Sequence, residues 1–206
     1  MADASPWLLV GLGNPGREYA HNRHNVGFMV VERWIDRHLT PGVGVSWREK
    51  FHARMTTASV GRDRVVAVMP QTYMNCSGKS VVAAAQFHRV GPKRTIVVHD
   101  EIDFDFGRVA VKAGGGHGGH NGLRDIIALT GSRDFVRIRV GVGRPTRGGD
   151  VSKWVLDDFD PIDAANLPDL VDRAQEAVTA VMTEGVKAAM NTINQQSPPR
   201  GSAATP

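Results

Sequence analysis

The sequence holds a single cysteine, Cys76, so it cannot close an intramolecular disulfide. That scarcity suits a reducing cytoplasm, and Cys76 reads as a small buried hydrophobe rather than a nucleophile. No apolar run is long enough to span a bilayer, and no basic-then-apolar start resembles a signal peptide. The expectation is therefore a cytoplasmic protein with no membrane partner. There is no internal repeat. No serine stands in a G-x-S-x-G elbow, which leaves a covalent serine mechanism unsupported. His117 and His120, in the run HGGH, have no obvious third ligand nearby, so no metal is expected there.

What is present is a chain of 206 residues, enough for one sizeable domain with a full core. Its formal charge of +4 fits a polyanionic partner such as nucleic acid. Positive charge gathers late: Arg133, Arg137, Arg139, Arg144, Arg147 and Lys153 are opposed only by Asp134 and Asp150. On a strand, Arg137 and Arg139 share one face. They either clamp a phosphate or form a solvated charged face.

Apolar patterning predicts strands at 7–10, 51–60, 65–70, 95–99, 108–112 and 135–142, with a Gly61-Arg62-Asp63 turn between the second and third. Helical spacing predicts helices over 26–39, with Asn25 as N-cap and Pro41-Gly42 as terminator, and over 77–87 and 123–129. A longer apolar stripe runs from Leu167 to Met182, with Pro168 acceptable in its first turn. Residues 143–150 read as a flexible basic loop. Alternation of strands and helices predicts an α/β fold: a single three-layer domain, with a twisted, mixed, mostly parallel sheet and helices on both faces. The domain is expected to span 1–194, and 195–206 to be a disordered tail with nothing to bury.

The stretch VGLGNPGREYAHNRHN organises the rest. Gly11, Gly13 and Gly16 satisfy the dinucleotide fingerprint, but that motif needs a helix to begin inside the glycine loop. Here helical periodicity starts only near Asn25. The loop instead carries His24, a group that titrates near neutral pH and can take a proton from water. A base of this kind needs a carboxylate on its other ring nitrogen. Asp100, closing a buried strand, is the best candidate, with Glu101, Asp103 and Asp105 as competitors. Three neutral amides, Asn14 after the first strand, Asn75 near a strand end and Asn121 in the second glycine loop, could grip a carbonyl or a developing oxyanion. Turn chemistry or helix capping is the alternative for each, Asn121 above all.

Taken in order, VGLGNPG with Tyr19, RHNVGF, QTYMNCSGKSV, VVHDEID, GGGHGGHNGLRDI and RIRVGVGRP resemble the bacterial peptidyl-tRNA hydrolase family over 8–156. Asn22 stands where the family often has Thr. The resemblance implies an enzyme that cleaves the ester joining a peptide to the 3′ end of tRNA, without cofactor or metal, as a cytoplasmic monomer. It implies His24 as general base, Asp100 as its orienter, and Asn14 as the residue that helps distinguish N-blocked from free aminoacyl-tRNA. Tyr19, Tyr73, Asn75 and Asn121 match residues that contact the tRNA or its peptidyl end. Lys112 and Arg139 match basic residues near tRNA phosphate, so the partner is peptidyl-tRNA at its acceptor stem and CCA end. A non-catalytic RNA-binding module, stacking bases on Tyr19, Tyr73 and Phe104, is the alternative; a nucleotide-cofactor oxidoreductase is a more distant one.

Overall fold

Trp7 and Leu9 point to one face of the first strand and Leu8 and Val10 to the other, and all four are buried. Such a strand must have cover on both sides. The computed structural model, which describes residues 5–38, 44–145 and 148–196, supplies it. The elements run β1 (Trp7–Gly11), α1 (Val26–His38), β2 (Arg48–Lys50), β3 (Ala53–Val60), β4 (Asp63–Pro70), α2 (Ser77–His88), β5 (Thr95–Glu101), β6 (Val109–Ala113), α3 (Asn121–Thr130), β7 (Val136–Gly141), α4 (Val151–Leu156), α5 (Pro161–Glu184) and α6 (Val186–Ile193). The strands form one mixed sheet in the order β2-β3-β4-β1-β5-β7-β6. Strands β4, β1, β5 and β7 are parallel; β3 and β6 run antiparallel to their inner neighbours. The expected three-layer α/β architecture is what forms.

One face of the sheet packs on α1, α5 and α6, through Val30, Trp34, Leu170, Val178 and Ile193. The other packs on α2 and α3, through Val81, Ala84, Leu123 and Ile126. Chain order along the sheet reverses direction at β1, whose neighbours β4 and β5 both come later in sequence. A crevice opens beyond the carboxyl ends of strands at such a switch point. Helix α1 seats very close to this end of the sheet. A Cβ on Gly27 would come within 2.5 Å of the Leu12 nitrogen and oxygen and of the Val98 oxygen, so only glycine fits.

Several boundaries differ from expectation. Strand β2, Arg-Glu-Lys, has no apolar alternation and escapes a hydrophobic pattern search. Phe51 and His52 belong to a left-handed turn, not to β3. Helix α5 starts at Pro161, capped by the Asp160 side chain, which places Pro168 in its interior rather than its first turn. Asp160-Pro161 was the start signal. Helices α4 and α6 were not foreseen. Asn25 is not an N-cap: a 3-10 turn, Arg23–Asn25, runs straight into α1. Leu39, Pro41, Gly42, Arg147 and residues 197–206 of the expected tail lie outside the described residues. Among the described residues, no helix is long and apolar enough to cross a membrane.

Candidate active site

Asp100 sits near the end of β5, fully enclosed. Its Oδ1 lies 2.8 Å from His24 Nδ1 and 2.9 Å from His120 Nε2. An ionised carboxylate only accepts, so both imidazoles donate to it. The tautomer of His120 follows independently. His120 is the N-cap of α3, and its Nδ1 accepts from the backbone N–H of Gly122 at 3.1 Å and more weakly from Leu123 at 3.4 Å. Its proton therefore sits on Nε2, facing Asp100. For His24 the proton sits on Nδ1, and Nε2 keeps a lone pair.

The electrostatics agree. Burial alone would raise the Asp100 pKa, but the charges and hydrogen bonds of His24 and His120 hold it well below the usual carboxylate range. Burial likewise pulls His24 down, yet the Asp100 charge and hydrogen bond outweigh it and the net displacement is upward from 6.5. His99, beside Asp100 in β5, is lowered to about 3, chiefly by burial and then by His120. It stays neutral, donates Nδ1–H to the Asp100 carbonyl, and leaves Nε2 buried without a partner among the described residues.

The amides come from three other segments, and only Asn121 lines the cleft of His24 and Asp100. Asn14, beyond β1, is buried. Its Oδ1 accepts the Met74 N–H at 2.8 Å. Its backbone N–H and C=O are both held by the Asn25 side chain at 2.9 Å. Asn25 thus ties Asn14 to the turn that carries His24, a role that sequence reasoning missed in favour of capping. Asn75 is exposed in the 3-10 turn Met74–Cys76, and its side chain has no hydrogen bond among the described residues. Asn121 is the first residue of α3, not its cap, and its Oδ1 accepts from Arg124 at 2.9 Å. In all three the amide NH2 is left to donate. His24, Asp100, His120, Asn121, Ile102 and Val155 line a cleft of about 160 Å³. Asn14 opens instead onto a neighbouring groove of about 310 Å³ with Phe28, Met29 and Gln71.

Other site residues are placed as follows. Tyr19 is half-buried in the 3-10 turn Arg17–Tyr19, and Tyr73 is 64 % exposed. Lys112 is exposed on β6, opposite Arg137 in register. Arg139 gives Nε and Nη2 to Glu101 Oε2 at 2.9 Å each. Arg137 and Arg139 do share a face, away from Val136, Ile138 and Val140. They are neither a clamp nor a solvated face. Arg137 is buried and donates to the carbonyls of Gly115 and Gly116, fastening the glycine loop to the sheet. Phe104 is half-buried, with Arg108 and Arg139 4.3 and 4.2 Å from its centroid. The missed partner of Asp100 is His120. Its signal was a histidine one residue before a helix, at a capping position. His117 lines the same cleft without contacting Asp100, and its Nδ1 accepts from the Gly119 N–H. One ligand-type atom each of His24, Asp100 and His120 lie within 4.8 Å of one another, but the two facing nitrogens hold the protons shared with Asp100.

Arg23 braces the turn from behind. It is buried, stacks 3.6 Å over Trp154, and donates to the carbonyls of Trp154, Asp157 and Asp158. The segment that walls the cleft at Val151 and Val155 is thereby fixed to the residue preceding His24.

Comparison with known proteins identifies the arrangement. The Peptidyl-tRNA hydrolase family model matches residues 8–200. A peptidyl-tRNA hydrolase of Sorangium cellulosum is 46% identical over 194 residues, 93% of this chain and 85% of the relative. One of Mycolicibacterium smegmatis is 41% identical, covering 93% of this chain and 98% of the relative. The crystal structure of peptidyl-tRNA hydrolase from Acinetobacter baumannii superposes with a TM-score of 0.86 at 37% identity, over 96% of this chain and 99% of that one. Agreement of this extent, in sequence and in fold, means that the chain belongs to the peptidyl-tRNA hydrolase family.

Proposed function

We propose that this protein hydrolyses the ester between a peptide, or an N-blocked aminoacyl group, and the 3′ end of tRNA, with His24 Nε2 as the base. The observation that carries this is the His24–Asp100 contact of 2.8 Å, which fixes the proton on Nδ1 and leaves Nε2 able to receive one. Water gives a proton to Nε2, and its oxygen adds to the ester carbonyl. The charge that develops on the carbonyl oxygen receives an N–H from Asn75. When the bond to the ribose oxygen breaks, the His24 imidazolium returns a proton to that oxygen. Asp100 stabilises the imidazolium meanwhile. The base contributes roughly 10²–10⁴-fold.

Asn14 and Asn121, each with its oxygen already engaged and its NH2 free, hold the amides of the peptide. Asn14 in particular discriminates N-blocked from free aminoacyl groups. Tyr19 and Tyr73 contact the CCA end. Lys112 and the remaining Nη1 of Arg139 meet phosphates of the acceptor stem. The protein acts as a monomer in the cytoplasm. The test is release of deacylated tRNA from diacetyl-lysyl-tRNA in the presence of chelator. Parent activity should persist, and His24→Ala should lose turnover while still binding the tRNA. Near-parent turnover by His24→Ala would place the base elsewhere.

A further inference from the structure

Helix α2 leaves the outer corner of its sheet face uncovered. There a groove of about 420 Å³ runs over β2, β3 and β4, walled by the end of α2. Arg48 and Lys50 project from the same side of β2 as Met55 and Val66, and exposed Arg64 joins them from β4. His88 closes the wall. No Asp or Glu lines the groove, and Arg48 and Arg64 have no carboxylate partner among the described residues. Glu49, alternate in β2, faces the other way. Phe87, at the rim, remains 58 % exposed although Lys50 lies 3.5 Å over its ring. Phe51 sits 5.3 Å from it.

Edge protection explains charge on β2, the outermost strand. It does not explain Arg64, two strands further in, nor an aromatic ring left open beside three cations. Burial, Arg64 and Lys50 all disfavour the charged form of His88, which attests how closely the cations crowd this corner.

We propose that this groove is a second RNA-binding surface, taking a single-stranded segment with its phosphates on Arg48, Lys50 and Arg64 and a base stacked on Phe87. A concave cationic groove with an aromatic at its rim is how proteins track a single strand. A duplex would meet such a concavity edge-on and reach few of the cations. The surface lies at the β2 edge of the sheet, opposite the β6–β7 edge that carries Lys112 and Arg139. It is thus independent of the cleft and of the reading given to it.

The experiment measures binding of a labelled single-stranded RNA of about 12 nucleotides, by anisotropy, across a salt series. Arg48→Glu/Arg64→Glu should weaken binding by about tenfold or more and lower the salt slope by about 1.4, two phosphate contacts on a single strand. Phe87→Ala should weaken it about fivefold. Lys112→Ala/Arg139→Ala should leave it within about twofold, and Arg48→Glu/Arg64→Glu should leave release of tRNA from diacetyl-lysyl-tRNA and the melting temperature near parent. Unchanged affinity and slope in Arg48→Glu/Arg64→Glu would overturn the proposal. So would tighter binding of a duplex of equal length, or equal competition by polyglutamate of equal charge.

Discussion

His120 Nε2 lies 2.9 Å from the Asp100 oxygen that also accepts from His24. Asp100 is therefore held by two imidazoles, one of which is itself locked by a helix N-terminus. His120→Asn keeps a good cap for α3 but cannot reach Asp100. With one donor gone, the carboxylate charge is less dispersed and pulls harder on His24. The acidic limb of the kcat/KM profile should move to higher pH, and kcat should fall roughly ten- to a hundredfold as Asp100 loses its fixed orientation. A profile superimposable on that of the parent would reduce His120 to a capping residue.

Asp100→Asn moves the limb the other way. The upward influence on His24 comes from the Asp100 charge and hydrogen bond, while burial pulls downward. Without the charge, burial wins, and the limb should shift to lower pH with turnover reduced by about 10² or more. The same charge is a stability contribution. The folded pKa of Asp100 is depressed, so its contribution is present above 3.8 and lost as pH falls from there through the folded value. The folded pKa of His24 is raised, so its contribution is present below 6.5 and lost as pH rises through the folded value. Urea unfolding of the parent and the variant across pH should show the difference between them narrowing in acid.

Asn14→Asp separates geometry from donation. Its carboxylate can still accept from Met74, but it has no NH2 to offer. The variant should melt near the parent temperature yet lose about tenfold or more in kcat/KM on N-acetyl-aminoacyl-tRNA. Equal losses on N-blocked and free-amine substrates would deny Asn14 a selective role.

Asn25→Ala breaks two buried hydrogen bonds to the Asn14 backbone. It should cost about 1–3 kcal/mol in urea unfolding and also reduce turnover, because Asn14 then loses its tie to the His24 turn.

Arg23→Lys tests the brace behind the cleft. An ammonium cannot lie flat on Trp154 and reach three carbonyls at once. The expected loss is about 2–4 kcal/mol, with faster amide exchange confined first to α4 and the Asp157–Asp158 segment.

The central strands, four of the five helices that cover them and the His24–Asp100 pair were legible because burial on two faces and titratable groups at strand ends leave strong marks in sequence. What was missed has a common physical cause. Arg137, Arg23 and Asn25 use their polar groups on backbone atoms of other segments, and His120 divides its ring between the start of its own helix and the Asp100 carboxylate; such contacts carry no periodic signature. Charged pattern alone left Arg137 between a phosphate clamp and a solvated face; its partners are the Gly115 and Gly116 carbonyls, visible only once β7 and the glycine loop are side by side. Strand β2 was missed because a charged edge strand has no hydrophobic alternation to display.

The cleft draws on segments from His24 to Val155, and the glycine loop that leads to His120 is anchored by Arg137 of β7. Every growing polypeptide is itself joined to tRNA by the kind of ester this family is named for acting on. During its own synthesis this chain emerges with the proposed base, His24, early and the anchor, Arg137, late. On the proposed mechanism, a partly translated copy lacks a finished cleft and has no means of cutting its own ester to tRNA.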